Sequence, residues 1–138
     1  DPEAQAVVLR MDFDLAEALM AVTEKRLGQV QAKWNPAASA CVVMASGGYP
    51  GEFVAGKKIE GLPVGGNEAV VFHAGTKREG GKYYTCSGRV LGVSAAANNL
   101  PDAIRRAYDA ASTIRFDGAH YRKDIGAKAL NKAHGSGA

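Results

Sequence analysis

Between Ala40 and Ala95 the sequence repeatedly sets a short run of strand-forming residues against a cluster of turn-formers. That punctuation restricts the segment to β structure, because each run is too short for a helix and each break supplies the backbone freedom of a turn. Ala40–Ala45 is a Val-rich apolar run that ends in the turn cluster Ser46-Gly47-Gly48-Tyr49-Pro50-Gly51. Lys57–Leu62 is a weaker strand, and Ala69–His73 is a strong one, since Val70, Val71 and Phe72 suit a pleated, half-buried surface. Glu79-Gly80-Gly81-Lys82 is a hairpin turn leading into Tyr83-Tyr84-Thr85-Cys86, and Arg89–Ala95 completes a sheet of about five strands.

The flanks read as helix. Leu15, Leu19, Val22 and Leu27 recur near the helical period within Asp12–Leu27. Asp14 and Glu17 have capping-box spacing, and Gly28 is a candidate left-handed stop. Trp34-Asn35-Pro36 then marks a connector, because proline disfavours helix in the residue before it. A second helix is predicted from Asn99, a good N-cap, with Pro101 and Asp102 in its first turn. Its apolar face carries Leu100, Ile104, Ala107, Tyr108, Ala111 and Ile114. After Phe116-Asp117-Gly118 comes the charged stretch Tyr121-Arg122-Lys123-Asp124-Ile125-Gly126, and then a small-residue tail expected to be flexible over 132–138. The fold class is therefore α+β: an antiparallel β-rich domain with one packing helix, preceded by a helix and linker. An antiparallel sheet keeps one face wet and buries the other under that helix.

Composition excludes several classes of function. The formal charge is only +3, and the basic residues are interleaved with acids. The 5 Tyr, 4 Phe and 1 Trp form no stacking platform, so nucleic-acid binding is not expected. No apolar run is long enough to span a membrane, and the chain opens on Asp1-Pro2-Glu3 without a signal-like segment. Without an initiator Met, the chain is expected to continue upstream of Asp1 in its parent protein. The 2 cysteines, Cys41 and Cys86, lack CxxC spacing and are expected to be reduced, partly buried thiols. With His73 they match no zinc spacing, so no metal site is predicted.

Four strings carry a specific resemblance: Cys41-Val42-Val43-Met44-Ala45-Ser46-Gly47-Gly48-Tyr49-Pro50-Gly51; Val71-Phe72-His73-Ala74-Gly75-Thr76; Gly88-Arg89-Val90-Leu91-Gly92-Val93; and Phe116-Asp117-Gly118 with Tyr121–Gly126. In order and spacing they resemble the glycinamide ribonucleotide synthetases, cytoplasmic ligases of purine synthesis. The resemblance runs from Asp1 to about Leu130. It implies an ATP-grasp enzyme that joins phosphoribosylamine to glycine, with ATP and Mg (or Mn) as cofactors and cleavage of ATP to ADP. It also divides the chain: 1–36 would be the end of an ATP-grasp domain plus linker, and 37–131 the C-terminal domain, similar to the rudimentary hybrid motif of biotin-carboxylase-like enzymes. Residues 132–138 would be the tail. The family's metal ligands, N-terminal domain and ATP-grasp lid lie outside this sequence. The chain alone is thus expected to bind no cofactor and to be inactive. The alternative is a non-catalytic binding or scaffolding module that reuses the same β-rich fold.

Asp1, at the end of a segment resembling the family's RFGDPE string, is a candidate to position the glycine ammonium. It equally fits an Asp that orders its own turn before Pro2. Glu3 is a further substrate-side candidate, or a surface carboxylate. Ser46, Gly47, Gly48 and Tyr49 form a loop near the site that either presents backbone N–H groups to an anion or simply makes a tight turn. Arg89 is placed to meet a substrate phosphate through its planar fork, or to form a structural ion pair. His73 ends an apolar strand and reads as a core or interface histidine hydrogen-bonded to backbone, ahead of a catalytic base. Ser87 lacks a nucleophile elbow, so a hydrolase triad is excluded.

Overall fold

The computed structural model describes residues 3–63 and 69–135, with side chains as far as Asn131. Among the described residues, two α-helices precede six consecutive strands and two follow them, and the fold is α+β as expected. The strands are β1 (Ala38–Ala45), β2 (Lys58–Ile59), β3 (Val70–His73), β4 (Thr76–Glu79), β5 (Lys82–Thr85) and β6 (Arg89–Ala97). The helices are α1 (Glu3–Val7), α2 (Leu15–Thr23), α3 (Leu100–Thr113) and α4 (Ala127–Gly135).

All strand pairing is antiparallel, but the strands form two three-stranded sheets, β1-β6-β3 and β2-β5-β4, where a single sheet of five was expected. The split has a local cause. The N–H groups of Ala74 and Gly75 both donate to the Val90 carbonyl, at 3.1 Å each. The Cys86 N–H then donates to the Gly75 carbonyl at 2.8 Å. One long hairpin is thereby bent, so that its base (β3, β6) stays with β1 while its tip (β4, β5) peels away to pair with β2. The tip turns at Gly80-Gly81, where φ is +54° and +77°, as a two-residue hairpin loop requires.

The core lies between the first sheet and α3. Val42, Met44, Leu91 and Val93 project from one face onto Ala107 and Ala111, with Ile114 and Phe116 closing the end. The alanines on α3 let the helix approach closely, and complete burial of Leu91 stabilises the fold by about 1.5–3 kcal/mol. Asn99 caps α3 as expected: its Oδ1 accepts the Asp102 N–H at 2.9 Å. The opposite face of the sheet is covered by α1, a helix the sequence reading did not anticipate. The Gln5 amide lies over Gly92 and meets the Cys41 thiol at 3.5 Å.

The ends of two elements differ from the expectation. The predicted helix Asp12–Leu27 is α2, Leu15–Thr23, capped by Asp14 through the N–H groups of Ala16 and Glu17. It stops at Lys25, not Gly28. Lys25 takes φ +57°, and the N–H groups of Lys25 and Arg26 donate back to the Val22 and Ala21 carbonyls, which is a Schellman stop. The apolar stripe of this helix is exposed, with Leu19 at 59% and Val22 at 54%, whereas Ala18 and Ala21 are buried. Finally, α4 runs through position 132, where the tail was expected to start, because Gly126 accepts the N–H groups of Ala129 and Leu130 and opens a helical turn. Residues 136–138 of that tail, and Asp1, lie outside the described residues.

Candidate functional site

Side chains alternate along β1, so Val42 and Met44 face α3 while Cys41, Val43 and Ala45 face away from it. The chain beyond α3 returns along this outward side. Ala45 and His120 exchange both backbone hydrogen bonds: the Ala45 N–H donates to the His120 carbonyl at 2.8 Å, and the His120 N–H to the Ala45 carbonyl at 3.1 Å. The glycine-rich loop folds over the end of the same strand. Cys41, Val43, Ala45, Tyr49, Pro50, Arg89, His120, Tyr121, Arg122 and Ile125 together line a cleft of about 520 Å³.

The loop is held from below. Ser46 is buried; its N–H donates to the Gly88 carbonyl at 2.8 Å and its hydroxyl to the Ser87 carbonyl at 2.9 Å. The Tyr49 N–H donates to the Ser46 carbonyl, and the Gly51 N–H to the Gly48 carbonyl. The N–H groups of Ser46, Tyr49 and Gly51 are therefore engaged inside the turn, which supports the tight-turn reading of these residues. The Tyr49 ring lies on Gly88, where a Cβ would stand only 2.2 Å from the ring edge. The four loop candidates thus separate. Tyr49 lines the cleft, Ser46 anchors it, Gly48 makes the turn at φ +94°, and Gly47 lines a different, shallow hollow beside Lys57 and Asp117.

Arg89 and Arg122 bring positive charge to the cleft, with His120 between the loop and the returning chain. Arg122 is oriented by a two-pronged contact with Asp124, Nε to Oδ1 at 2.8 Å and Nη2 to Oδ2 at 2.6 Å. Those bonds hold the Asp124 carboxyl below the usual carboxylate range. Cys41 forms part of the floor, and burial pushes its thiol pKa up, whereas Cys86, expected to be partly buried, is exposed. Glu3 lines an adjoining groove that shares Cys41 and Ile125 with the cleft. Its carboxyl is lowered first by a hydrogen bond from its own backbone N–H, and Arg89 adds a smaller pull in the same direction. His73 lies elsewhere and is exposed, not a core histidine bonded to backbone: its ring pairs with the Thr76 hydroxyl at 2.9 Å and packs on Tyr83.

Sequence reasoning missed His120, Tyr121, Arg122 and Ile125 as cleft residues. The signal was present in the charged stretch Tyr121–Gly126, but nothing local to it says that it returns to the end of β1.

Residues 39–128 match the family model described as phosphoribosylglycinamide synthetase, C domain. The chain belongs to the phosphoribosylglycinamide synthetase C-domain family. Among its relatives, the phosphoribosylamine–glycine ligase of Vibrio vulnificus is 45% identical over 133 residues, covering 94% of this chain and 30% of that protein. The ligase of the same name from Chlorobaculum tepidum is 48% identical over 132 residues, covering 94% and 31%. The crystal structure of phosphoribosylamine–glycine ligase from Thermotoga maritima superposes with a TM-score of 0.70 at 29% identity, covering 90% of this chain and 30% of that one. The chain thus spans about three tenths of the length of the curated relatives it matches. The C-domain match contains every residue that lines the cleft, whereas Glu3 lies before it.

Proposed function

We propose that this chain is the C-terminal portion of a phosphoribosylamine–glycine ligase, an ATP-dependent enzyme of purine synthesis in the cytoplasm, and that by itself it is inactive. The observation that carries this reading is 40–48% identity, over most of the chain, with proteins of that name. On this reading the domain break falls near 36–37, and α2 belongs with the upstream part of the enzyme. The exposed face of α2, with Leu15, Leu19 and Val22, is the surface expected to be covered there.

The cleft supplies a role for the chain's own residues. Arg89 binds the phosphate of phosphoribosylamine through its planar fork, and Arg122, already oriented by Asp124, adds a second positive charge. Tyr49 and the floor of Cys41 and Val43 exclude water from one side of the substrate, and that strengthens both contacts. Glu3 approaches from the N-terminal side, where a carboxylate suits the glycine ammonium, and Asp1 is a candidate for the same role. ATP with magnesium supplies phosphoryl transfer that activates the glycine carboxylate in the complete ligase. Among the described residues no group of His, Cys, Asp and Glu side chains is arranged to hold a metal. No step through the metal is therefore assigned to this chain. No described helix is long and apolar enough to cross a membrane.

The test is glycine- and phosphoribosylamine-dependent release of ADP, measured on the chain alone and on the chain co-expressed with the coding region upstream of Asp1. Activity only in the reconstituted sample supports the ligase reading. Two folded pieces without activity would shift the assignment to a non-catalytic binding module.

A further inference from the structure

Tyr108 sits on α3, one turn after Ile104, so both side chains rise on the same face of the helix. The Tyr108 hydroxyl makes two bonds to one turn of the returning chain. It donates to the Arg122 carbonyl at 2.8 Å and accepts the Ile125 N–H at 3.1 Å. Its ring lies 6.0 Å from that of Tyr121. Ile104 presses on the exit of the same turn: a Cβ at Gly126, where φ is +81°, would stand 2.3 Å from the Ile104 Cδ1. Two residues of α3 therefore hold both ends of the 121–126 turn, which carries Tyr121, Arg122 and Ile125 into the cleft. The backbone contacts of Ala45 with His120 fix the entrance to this segment, but they stop one residue short of it.

We propose that Tyr108 is a positioning residue of the substrate site, acting through Arg122. It does not itself line the cleft and contributes by closing the turn that carries the Arg122–Asp124 pair. The inference rests on the reading of this cleft as the phosphoribosylamine site. A hydroxyl that both donates and accepts is needed here, since the turn offers one carbonyl and one N–H. Phenylalanine keeps the ring and loses both bonds.

The experiment is Tyr108→Phe, Arg122→Gln and their combination in the complete ligase, together with Tyr108→Phe in this chain for amide exchange. Loss of the acceptor raises exchange at the Ile125 N–H by about five- to tenfold, with the α3 interior amides unchanged. In the ligase, Tyr108→Phe raises KM for phosphoribosylamine about three- to tenfold, leaving KM for ATP and kcat near their starting values. The double variant is no worse than Arg122→Gln alone, because the two residues act in series. Unchanged exchange at Ile125 refutes the clamp itself. An effect of Arg122→Gln without one of Tyr108→Phe refutes the positioning role while the cleft assignment stands. Additive effects of the two refute action through Arg122. Wild-type KM in Arg122→Gln removes the cleft assignment, and the inference with it.

Discussion

Substituting Gly88 by alanine tests how the glycine-rich loop is seated. Gly88 does not take a left-handed conformation, so alanine adds no backbone strain and its effect comes from one contact. The new methyl carbon would stand 2.2 Å from Cδ2, 2.8 Å from Cε2 and 3.2 Å from Cγ of Tyr49, against an ordinary contact of 3.4–4 Å. The ring edge must therefore withdraw by about 1.2 Å, the distance over which such a contact turns from repulsive to neutral. It cannot do so freely. The Tyr49 N–H is bonded to Ser46, and Gly48 before it is wedged against the Glu52 carbonyl, 2.0 Å from where a Cβ would lie. The expected cost is that of an overpacked core site, about 1–3 kcal/mol. Urea unfolding of the four members of a cycle with Tyr49→Ala isolates the contact. With the ring gone the three nearest contacts of the methyl are removed, so Gly88→Ala should cost less than about 0.5 kcal/mol in the Tyr49→Ala background. Additive losses would refute the argument, because they would place the cost of the methyl somewhere other than the ring.

Four further outcomes are expected. Arg89→Lys in the complete ligase raises KM for phosphoribosylamine by about ten- to a hundredfold, the loss of one charged fork, with ATP affinity unchanged in direct binding measurements. A disulfide reagent at pH 8 modifies the exposed Cys86 at least about tenfold faster than Cys41, which is half-buried with its pKa raised by that burial; equal rates would show that the floor of the cleft is open. Leu19→Gln combined with Met20→Lys alters the stability of this chain by less than about 1 kcal/mol, since both side chains are some three fifths exposed, and reduces concentration-dependent association in sedimentation. Asp124 titrates below its ordinary range, because Arg122 hydrogen-bonds to it and attracts its charge. A depressed folded value means that the pair's contribution is complete above the unfolded pKa and is lost as pH falls through the folded one. In Arg122→Gln the carboxyl resonance of Asp124 should shift its midpoint upward, and an unmoved midpoint would disprove the pairing.

The elements legible in the sequence are those whose signal is local. Asn99 with Pro101 and Asp102 announces the start of α3, and the Gly80-Gly81 pair announces its hairpin, because capping and positive φ are decided within four residues. The end of α2 was misread for the complementary reason. Gly28 is the better left-handed residue by intrinsic preference, but the Schellman bonds to Ala21 and Val22 are geometrically available only to Lys25 and Arg26. The division into two sheets was hidden because the bend of the long hairpin depends on two N–H groups converging on Val90, fifteen residues away. Likewise α1 carries too little apolar periodicity to be seen alone, and it owes its place to the small residue Gly92 beneath Gln5.

The site follows the same rule at longer range. Arg89 and Tyr49 could be nominated from the sequence because each sits beside glycine in a motif, where backbone and side chain are both exposed to a ligand. Arg122 and His120 could not, since their partners in the cleft are more than thirty residues distant along the chain. What brings them there is a pairing of Ala45 with His120 and a single hydroxyl on α3. A charged stretch after a helix reads as solvated surface until something anchors it, and the anchoring atom belongs to a tyrosine that the helical period assigns to the apolar face. The polar end of an amphipathic side chain is invisible to a hydrophobic pattern. For this fold, then, the cleft residues that flank glycine motifs and the hydroxyl that holds the returning turn are encoded by different kinds of signal, and only the first kind is local.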